Sequence, residues 1–145
     1  MNDDVIIILA EDDEGHAALI RRNLERAGIR NTFYHFRDGE LVLKFLQRRL
    51  DQPQRLDHTS YLLLLDIRMP KVDGVEVLRY IKQDPELRRM PVIMITTTDD
   101  PREVANCHQL GCNSYLTKPI DYGRFVDVVR QLGLFLKVVE VPSIG

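Results

Sequence analysis

One run of the sequence decides the fold: Tyr61-Leu62-Leu63-Leu64-Leu65, which is followed at once by Asp66. The run is apolar at every position, which is typical of a strand that is covered on both faces in a parallel sheet. Asp66 then falls at the carboxyl end of that strand. Because open parallel sheets bind ligands beyond the carboxyl ends of their strands, we assign the chemistry to Asp66.

The bulk composition indicates one soluble globular domain. A chain of 145 residues has the usual size of a single domain, and a content of 44% hydrophobic and 29% charged residues is typical of a folded protein. The net charge of −2 gives no basic signature, so overall charge does not support DNA binding. We interpret Arg48, Arg49 and Arg55 as a solvated rim.

No segment indicates a membrane-bound or secreted protein. No apolar stretch approaches the roughly 20 residues that span a bilayer, and residues 1–4 are acidic, unlike a secretory leader. Cys107 and Cys112 do not have the Cys-x-x-Cys spacing of a zinc or redox motif. We therefore expect reduced thiols and a cytoplasmic location.

Strand-like and helix-like segments alternate along the chain. Helical patterns separate five apolar runs that predict strands: 5–10, 32–36, 61–65, 91–96 and 114–116. This alternation predicts an α/β fold in which a parallel sheet has helices on both faces. Gly28 is expected to end the first helix, and Asp100, Pro101 and Glu103 fit a capping box that starts the fourth.

Two other segments stand out. Residues 47–60 are polar and contain Pro53, which predicts a helix end and then an exposed loop. Residues 134–142 remain rich in apolar side chains past the last helix, so this tail is expected to pack on the chain's own surface or on another subunit. We assign residues 1–136 to the domain and residues 137–145 to a C-terminal extension, a candidate dimerisation arm.

Acidic residues follow two of the predicted strands. Glu11, Asp12 and Asp13 follow the first strand and Asp66 follows the third, and a parallel sheet brings both ends to one edge. Carboxylates held close together raise one another's pKa or bind a cation, and their hard oxygen atoms favour Mg²⁺. The triplet alone has a second explanation, since acidic residues also cap helix starts.

A hydroxyl and an ammonium group are expected at the same edge. Thr96 closes the fourth strand and Lys118 follows the fifth. With Mg²⁺ these groups meet the needs of an aspartyl phosphate: Asp66 as nucleophile, Lys118 and the ion to neutralise phosphoryl oxygens, and Thr96 to donate a hydrogen bond to one of them. The hypothesis depends on the whole constellation.

These residues resemble a known family. Asp12, the stretch Asp66-Ile67-Arg68-Met69-Pro70-Lys71-Val72-Asp73-Gly74, Thr96 and Lys118-Pro119 are similar to the marks of response-regulator receiver domains of two-component signalling. The resemblance covers residues 5–136. It implies a flavodoxin-like, doubly wound, five-stranded parallel sheet of order 2-1-3-4-5 with five helices. It also implies a phosphorelay protein that accepts a phosphoryl group on Asp66 from a sensor histidine kinase, and no enzyme activity beyond its own phosphorylation and dephosphorylation.

The resemblance also implies the ligands of Mg²⁺. Asp12 and Asp66 match the residues that bind the ion directly, and the backbone carbonyl of Arg68 matches the third protein ligand. Glu11 matches the acid that acts through water. Asp13 is an additional acid beside this pair, and we do not assign it to the metal first.

The remaining roles concern the conformational switch. By resemblance, Lys118 contacts the phosphoryl group, Thr96 is the switch hydroxyl, and Tyr115 is the aromatic residue that follows it. Judged without the family, Tyr115 also fits a half-buried core residue. Arg68 and Thr98 flank the site at positions that, by resemblance, influence how long the phosphoryl group survives.

The resemblance extends to partners. Residues 47–60, 80–89 and 135–142 are most similar to small regulators that are paired with phytochrome-type histidine kinases. No output domain follows the last helix, so we expect output through a downstream protein effector or a phosphotransfer protein, without contact to DNA or membrane. In this subfamily the tail implies a homodimer through the C-terminal region.

Other functions fit part of the pattern. An aspartate-nucleophile phosphatase would also use Asp66, Thr96, Lys118 and Mg²⁺, but it normally carries an acid two residues after the nucleophile, where this chain has Arg68. A phosphotransfer intermediate without its own output is the alternative within the family. A degenerate scaffold that only binds partners would not need the full set of site residues.

Overall fold

A five-stranded parallel sheet forms the centre of the molecule, and the computed structural model describes residues 1–145. The strands lie in the order 2-1-3-4-5, which confirms the fold and the topology expected from the sequence. Five helices cover the sheet, and a short sixth strand follows them. The elements are β1 (Ile6–Ala10), α1 (Glu14–Arg26), β2 (Phe33–Phe36), α2 (Gly39–Leu46), β3 (Thr59–Leu65), α3 (Gly74–Gln83), β4 (Val92–Thr96), α4 (Pro101–Leu110), β5 (Ser114–Thr117), α5 (Tyr122–Leu136) and β6 (Ser143–Ile144).

Both faces of the sheet are buried, which explains why β3 is apolar at every position. Successive side chains of a strand point to opposite faces. Leu63 and Leu65 therefore pack in the core with α2 and α3, whereas Leu62 and Leu64 pack in a second core with α1 and α5. A strand with one solvated face would carry polar residues at alternate positions.

An aspartate starts each of the five helices. The side chain of each accepts a hydrogen bond from a backbone N–H in the first turn, which satisfies a donor that has no partner within the helix: Asp13, Asp38, Asp73, Asp100 and Asp121. The predicted N-cap of α4 is confirmed, but Asp100 accepts from Arg102 at 2.9 Å, whereas a capping box would use Glu103. Gly28 follows α1 with φ +93°, in the left-handed region that glycine tolerates.

The C-terminal tail packs on its own chain. β6 pairs antiparallel with the start of β3, a strand that the sequence did not predict, and Ser60 Oγ donates to Val141 O at 3.1 Å. Ile144 is buried in the core with α2 and α3. Of the two packing surfaces that we considered for the tail, the structure therefore uses the chain's own.

The interpretation of Arg55 as part of a solvated rim is wrong. Its side chain is buried and donates to Leu46 O at 3.0 Å and to Glu86 Oε2 at 2.7 Å. A buried guanidinium group is tolerated where a carboxylate and a carbonyl replace water as its partners. The other two arginines, Arg48 and Arg49, keep exposed side chains.

None of the helices is long and apolar enough to cross a membrane.

Candidate functional site

Asp66 lies at the carboxyl end of β3, where the sequence predicted the chemistry. Its backbone N–H still donates to Ala10 O at 3.0 Å, so the β1–β3 ladder holds the residue rigidly. Its two carboxylate oxygens have different partners: Oδ1 accepts from the N–H of Ile67 at 2.7 Å, and Oδ2 accepts from Lys118 Nζ at 2.9 Å. Only 8% of the side chain is exposed, so the carboxylate faces a narrow opening to solvent.

Glu11, Asp12 and Asp66 form a cluster of carboxylates. One oxygen of each lies within 4.8 Å of the others, a spacing that suits oxygen ligands around one divalent ion. Glu11 and Asp66 are buried and Asp12 is exposed. Burial, followed by the charge of Asp66, raises the pKa of Glu11 to about 8, while the hydrogen bond and charge of Lys118 oppose that rise.

Asp13 does not join the cluster but caps α1. Its Oδ1 accepts from the N–H of His16 at 3.0 Å, and this hydrogen bond holds the pKa of the Asp13 carboxyl below its usual range. The second explanation that we gave for the acidic triplet therefore applies to one of its members. The other two acids, Glu11 and Asp12, lie in the cluster with Asp66.

Lys118 is the buried cation of the site. It follows β5, and its backbone N–H donates to Thr96 O at 2.6 Å, which ties the ends of β4 and β5 together. Its ammonium group donates to Glu11 Oε1 and to Asp66 Oδ2, and it also lies 3.1 Å from His16 Nδ1. Hydrogen bonds to two buried carboxyl groups thus offset part of the cost of burying the positive charge.

Thr96 is the last residue of β4, and Tyr115 is the second residue of the neighbouring strand β5. The hydroxyl oxygen of Thr96 is fully buried and has no hydrogen-bond partner. A buried hydroxyl without a partner costs free energy, so this atom is ready for an acceptor that enters the site. The Tyr115 hydroxyl donates to Thr98 O at 2.8 Å, and burial above all raises the pKa of this half-buried phenol.

Gly74 sets the position of the loop between β3 and α3. A Cβ atom on this residue would lie 2.8 Å from both the carbonyl carbon of Asp66 and Cα of Ile67, closer than real Cβ contacts. The N–H of Gly74 donates to Ile67 O at 2.7 Å. Only glycine lets the start of α3 approach the backbone of Asp66 this closely, which holds the loop that carries Arg68 against the site.

Comparison with known proteins identifies the family of this site. The response regulator receiver domain matches residues 7–130. The chain belongs to that family. Within it, the structure brings together Glu11, Asp12, Asp66 and Lys118 as predicted. It places Thr96 at the end of β4 and Tyr115 at the second position of β5.

Individual relatives of the receiver domain cover most of its length. The probable methanogenesis regulatory protein FilR2 of Methanothrix harundinacea is 37% identical over 135 residues, which cover 91% of this chain and 85% of that protein. The Mn²⁺-bound form of response regulator Rcp1 from Synechocystis is 32% identical with a TM-score of 0.86, covering 94% of this chain and 98% of Rcp1. The phosphorylated cyanobacterial phytochrome response regulator RcpA is 30% identical with a TM-score of 0.85, covering 95% and 98%.

His16 is the residue of the receiver site that sequence reasoning missed. None of the four histidines was assigned a role from the sequence, yet the His16 ring contacts Lys118. Its position did carry a signal. His16 is the third residue after the N-cap Asp13, so its side chain lies in the first turn of α1, at the edge where the acidic residues meet.

Proposed function

We propose that Asp66 accepts a phosphoryl group from a sensor histidine kinase and that the phosphorylated domain signals to a protein partner. The observation that carries this function is the contact between Lys118 Nζ and Asp66 Oδ2 inside a buried acidic cluster. An aspartate carboxylate is a known nucleophile toward phosphorus, and Lys118 holds one oxygen of Asp66 in a fixed position. The positive charge of Lys118 also lies where a phosphoryl group on Asp66 would add negative charge.

The acidic cluster fits a divalent ion, for which we propose Mg²⁺. Asp12 and Asp66 would bind it directly with the backbone carbonyl of Arg68, and Glu11 would act through water. The clustered carboxylate oxygens and the Mn²⁺-bound form of Rcp1 support this assignment. When bound, the ion supplies positive charge that stabilises the oxygens of the transferring phosphoryl group.

The transfer itself needs little from the protein beyond position and charge. An Asp66 carboxylate oxygen attacks phosphorus, an oxygen–phosphorus bond forms, and the nitrogen–phosphorus bond of the kinase phosphohistidine breaks, with its electron pair returning to the imidazole nitrogen. The ammonium group of Lys118 binds a phosphoryl oxygen in place of the Asp66 oxygen that it now contacts. The Thr96 hydroxyl gains the acceptor that it lacks.

The signal follows from these new contacts. The phosphoryl group adds about 1.5–2 negative charges and three acceptor oxygens. A conformation that brings Thr96 and Lys118 closer is then favoured, which shifts the population toward the active arrangement. Tyr115, whose hydroxyl donates a hydrogen bond to the carbonyl of Thr98, follows this movement and changes the binding surface formed by α4, β5 and α5. Arg68 and Thr98 influence how long the phosphoryl group survives.

The kinase that we propose is of the phytochrome type, and the regulator is a homodimer. The similarity to RcpA supports the choice of kinase. Leu134, Phe135 and Val138 at the end of α5 are 61%, 48% and 77% exposed, and such an apolar patch is suited to a second copy of the chain. Replacing Leu134 and Val138 with glutamate is expected to halve the mass measured by sedimentation. An unchanged mass would count against this dimer.

The phosphatase alternative is less well supported. Arg68 stands where a general acid is expected, and its side chain is exposed. A phosphatase would turn over an added phosphoester many times, whereas a receiver would take up one phosphoryl group per chain. A phosphotransfer intermediate would pass that label to a histidine on a further protein.

The direct test is labelling with acetyl phosphate. We expect wild-type protein with Mg²⁺ to gain one phosphoryl group on Asp66, detected by intact mass and by hydroxylamine cleavage of the acyl phosphate. Asp66→Asn and excess EDTA should each abolish the label. Asp121→Asn is the matched control, because Asp121 caps α5 and asparagine also caps helices. A persistent label in Asp66→Asn would sink the proposal.

A further inference from the structure

His16 occupies a place that the proposed mechanism does not use. It lies in the first turn of α1, and its Nδ1 is 3.1 Å from the ammonium nitrogen of Lys118. The ring is 36% exposed, whereas Lys118 is almost fully buried. His16 therefore closes the solvent side of the ammonium group.

The hydrogen bonds of Lys118 account for all of its donors. An ammonium group has three N–H donors and no acceptor. Glu11 Oε1 and Asp66 Oδ2 take two of them, and His16 Nδ1 takes the third. To accept, the imidazole must carry its proton on Nε2, which faces Asp13 Oδ2 at 3.8 Å.

Two further contacts fix the position of His16. Its backbone N–H donates to the capping carboxylate of Asp13 at 3.0 Å, which fixes the start of α1. The ring packs against Phe125 of α5 in an edge-to-face arrangement, with centroids 5.4 Å apart and planes at 79°. The acceptor that meets Lys118 is therefore placed by two helices.

From these contacts we propose that His16 is a positioning residue for Lys118, which holds the ammonium group over Asp66 for the phosphoryl transfer described above. The inference rests on the proposed function. Glu11 and Asp66 each hold one donor of the ammonium group, and the lysine stem is long and flexible. With the third acceptor removed, the ammonium group is free to turn toward water and away from the position that a phosphoryl oxygen needs.

The test compares two substitutions of His16. His16→Leu keeps the volume but removes the acceptor, whereas His16→Asn places its carbonyl oxygen close to the position of Nδ1. With saturating acetyl phosphate and Mg²⁺, we expect His16→Leu to lower the first-order rate of Asp66 labelling roughly 10- to 100-fold, the range found when an outer-shell partner is removed. His16→Asn should restore most of the rate. His108→Leu, at a histidine on α4, is the matched control.

A double-mutant cycle shows whether His16 acts through Lys118. In a Lys118→Met background, the His16→Leu substitution should cause no further loss, because the group that it positions is gone. An equal loss in both backgrounds would overturn the inference, as would an unchanged rate in His16→Leu. Thermal unfolding of each variant identifies loss through misfolding, in which case the His16→Asn rate decides.

A second measurement does not depend on phosphorylation. The ¹⁵N signal of the Lys118 ammonium group should be visible in the wild-type protein, because three hydrogen bonds slow its exchange with water, and it should be lost in His16→Leu and retained in His16→Asn. A signal that survives in His16→Leu refutes the positioning role. Absence of any label on wild-type Asp66 would refute the proposed function, and the ammonium signal would still decide the placement of Lys118.

Discussion

Replacing Gly74 with alanine should damage the site without touching any of its polar groups. The added Cβ would meet the backbone of Asp66 and Ile67 at 2.8 Å or less, and backbone atoms cannot turn aside as a flexible side chain can. The start of α3 and the loop after β3 must then separate by roughly 1 Å in a close-packed interior.

Two opposite effects set the size of the stability change. Overpacking of this kind costs about 1–3 kcal/mol. Alanine in place of glycine in a helix returns up to about 1 kcal/mol. We therefore expect the free energy of unfolding of Gly74→Ala to fall by about 1–2 kcal/mol, as measured by urea titration.

The effect on phosphorylation should be larger than the effect on stability. A displacement of about 1 Å at a reacting group can lower a rate about 100-fold. We expect a loss of that size in labelling of Asp66 by acetyl phosphate under conditions where the variant is folded. The control is Gly123→Ala in the first turn of α5, where the added Cβ would contact only the Asp121 side chain at 3.3 Å. Gly74→Ala with wild-type stability and an unchanged labelling rate would refute the role given to this glycine.

Three other perturbations test the packing. Gly133→Val should lower the free energy of unfolding by about 1–3 kcal/mol, because even a Cβ there would lie 2.6 Å from that of Ala27, the residue that follows α1; urea unfolding with the conservative Gly133→Ala as a graded control measures it. Ile144→Ala should cost about 2 kcal/mol and Ser143→Ala, at an exposed site, almost nothing; equal stabilities would mean that β6 does not hold the core. Burial, followed by the charge of Cys112, raises the pKa of the Cys107 thiol from 9.0 to about 11, so the stability that it contributes is complete below pH 9.0 and lost as the pH rises through about 11. Cys107→Ala should show a smaller loss of stability between those pH values in urea unfolding, and an identical pH profile would contradict the assignment.

The part of the fold that the sequence predicted depends on local pattern. The apolar run before Asp66 has both faces buried, and Asp100 at the start of α4 satisfies a neighbouring N–H group, so both can be recognised within a few residues. The site followed from one further rule, that parallel strands end at a common edge. For this reason the sequence predicted that Asp12, Asp66 and Lys118 lie close together.

The parts that were missed depend on partners distant in the sequence. Arg55 is buried because Glu86 lies 31 residues further along and accepts from it, and no local pattern announces such a pair. β6 has two residues, and it forms because Thr59 and Ser60 offer it a free edge. His16 was missed because its role depends on its contact with Lys118, which lies 102 residues further along the chain.

The five capping aspartates have an effect beyond the helices that they start. All five helices begin at the carboxyl edge of the sheet, so these carboxylates surround the opening that already contains Glu11, Asp12 and Asp66. A small anionic phosphodonor approaches this rim against repulsion, and added salt screens that repulsion over about 8–10 Å. Higher ionic strength should consequently speed the reaction with acetyl phosphate. It should also slow the encounter with a kinase domain whose surface is basic. The acidic rim therefore favours a protein-bound phosphodonor over a free one.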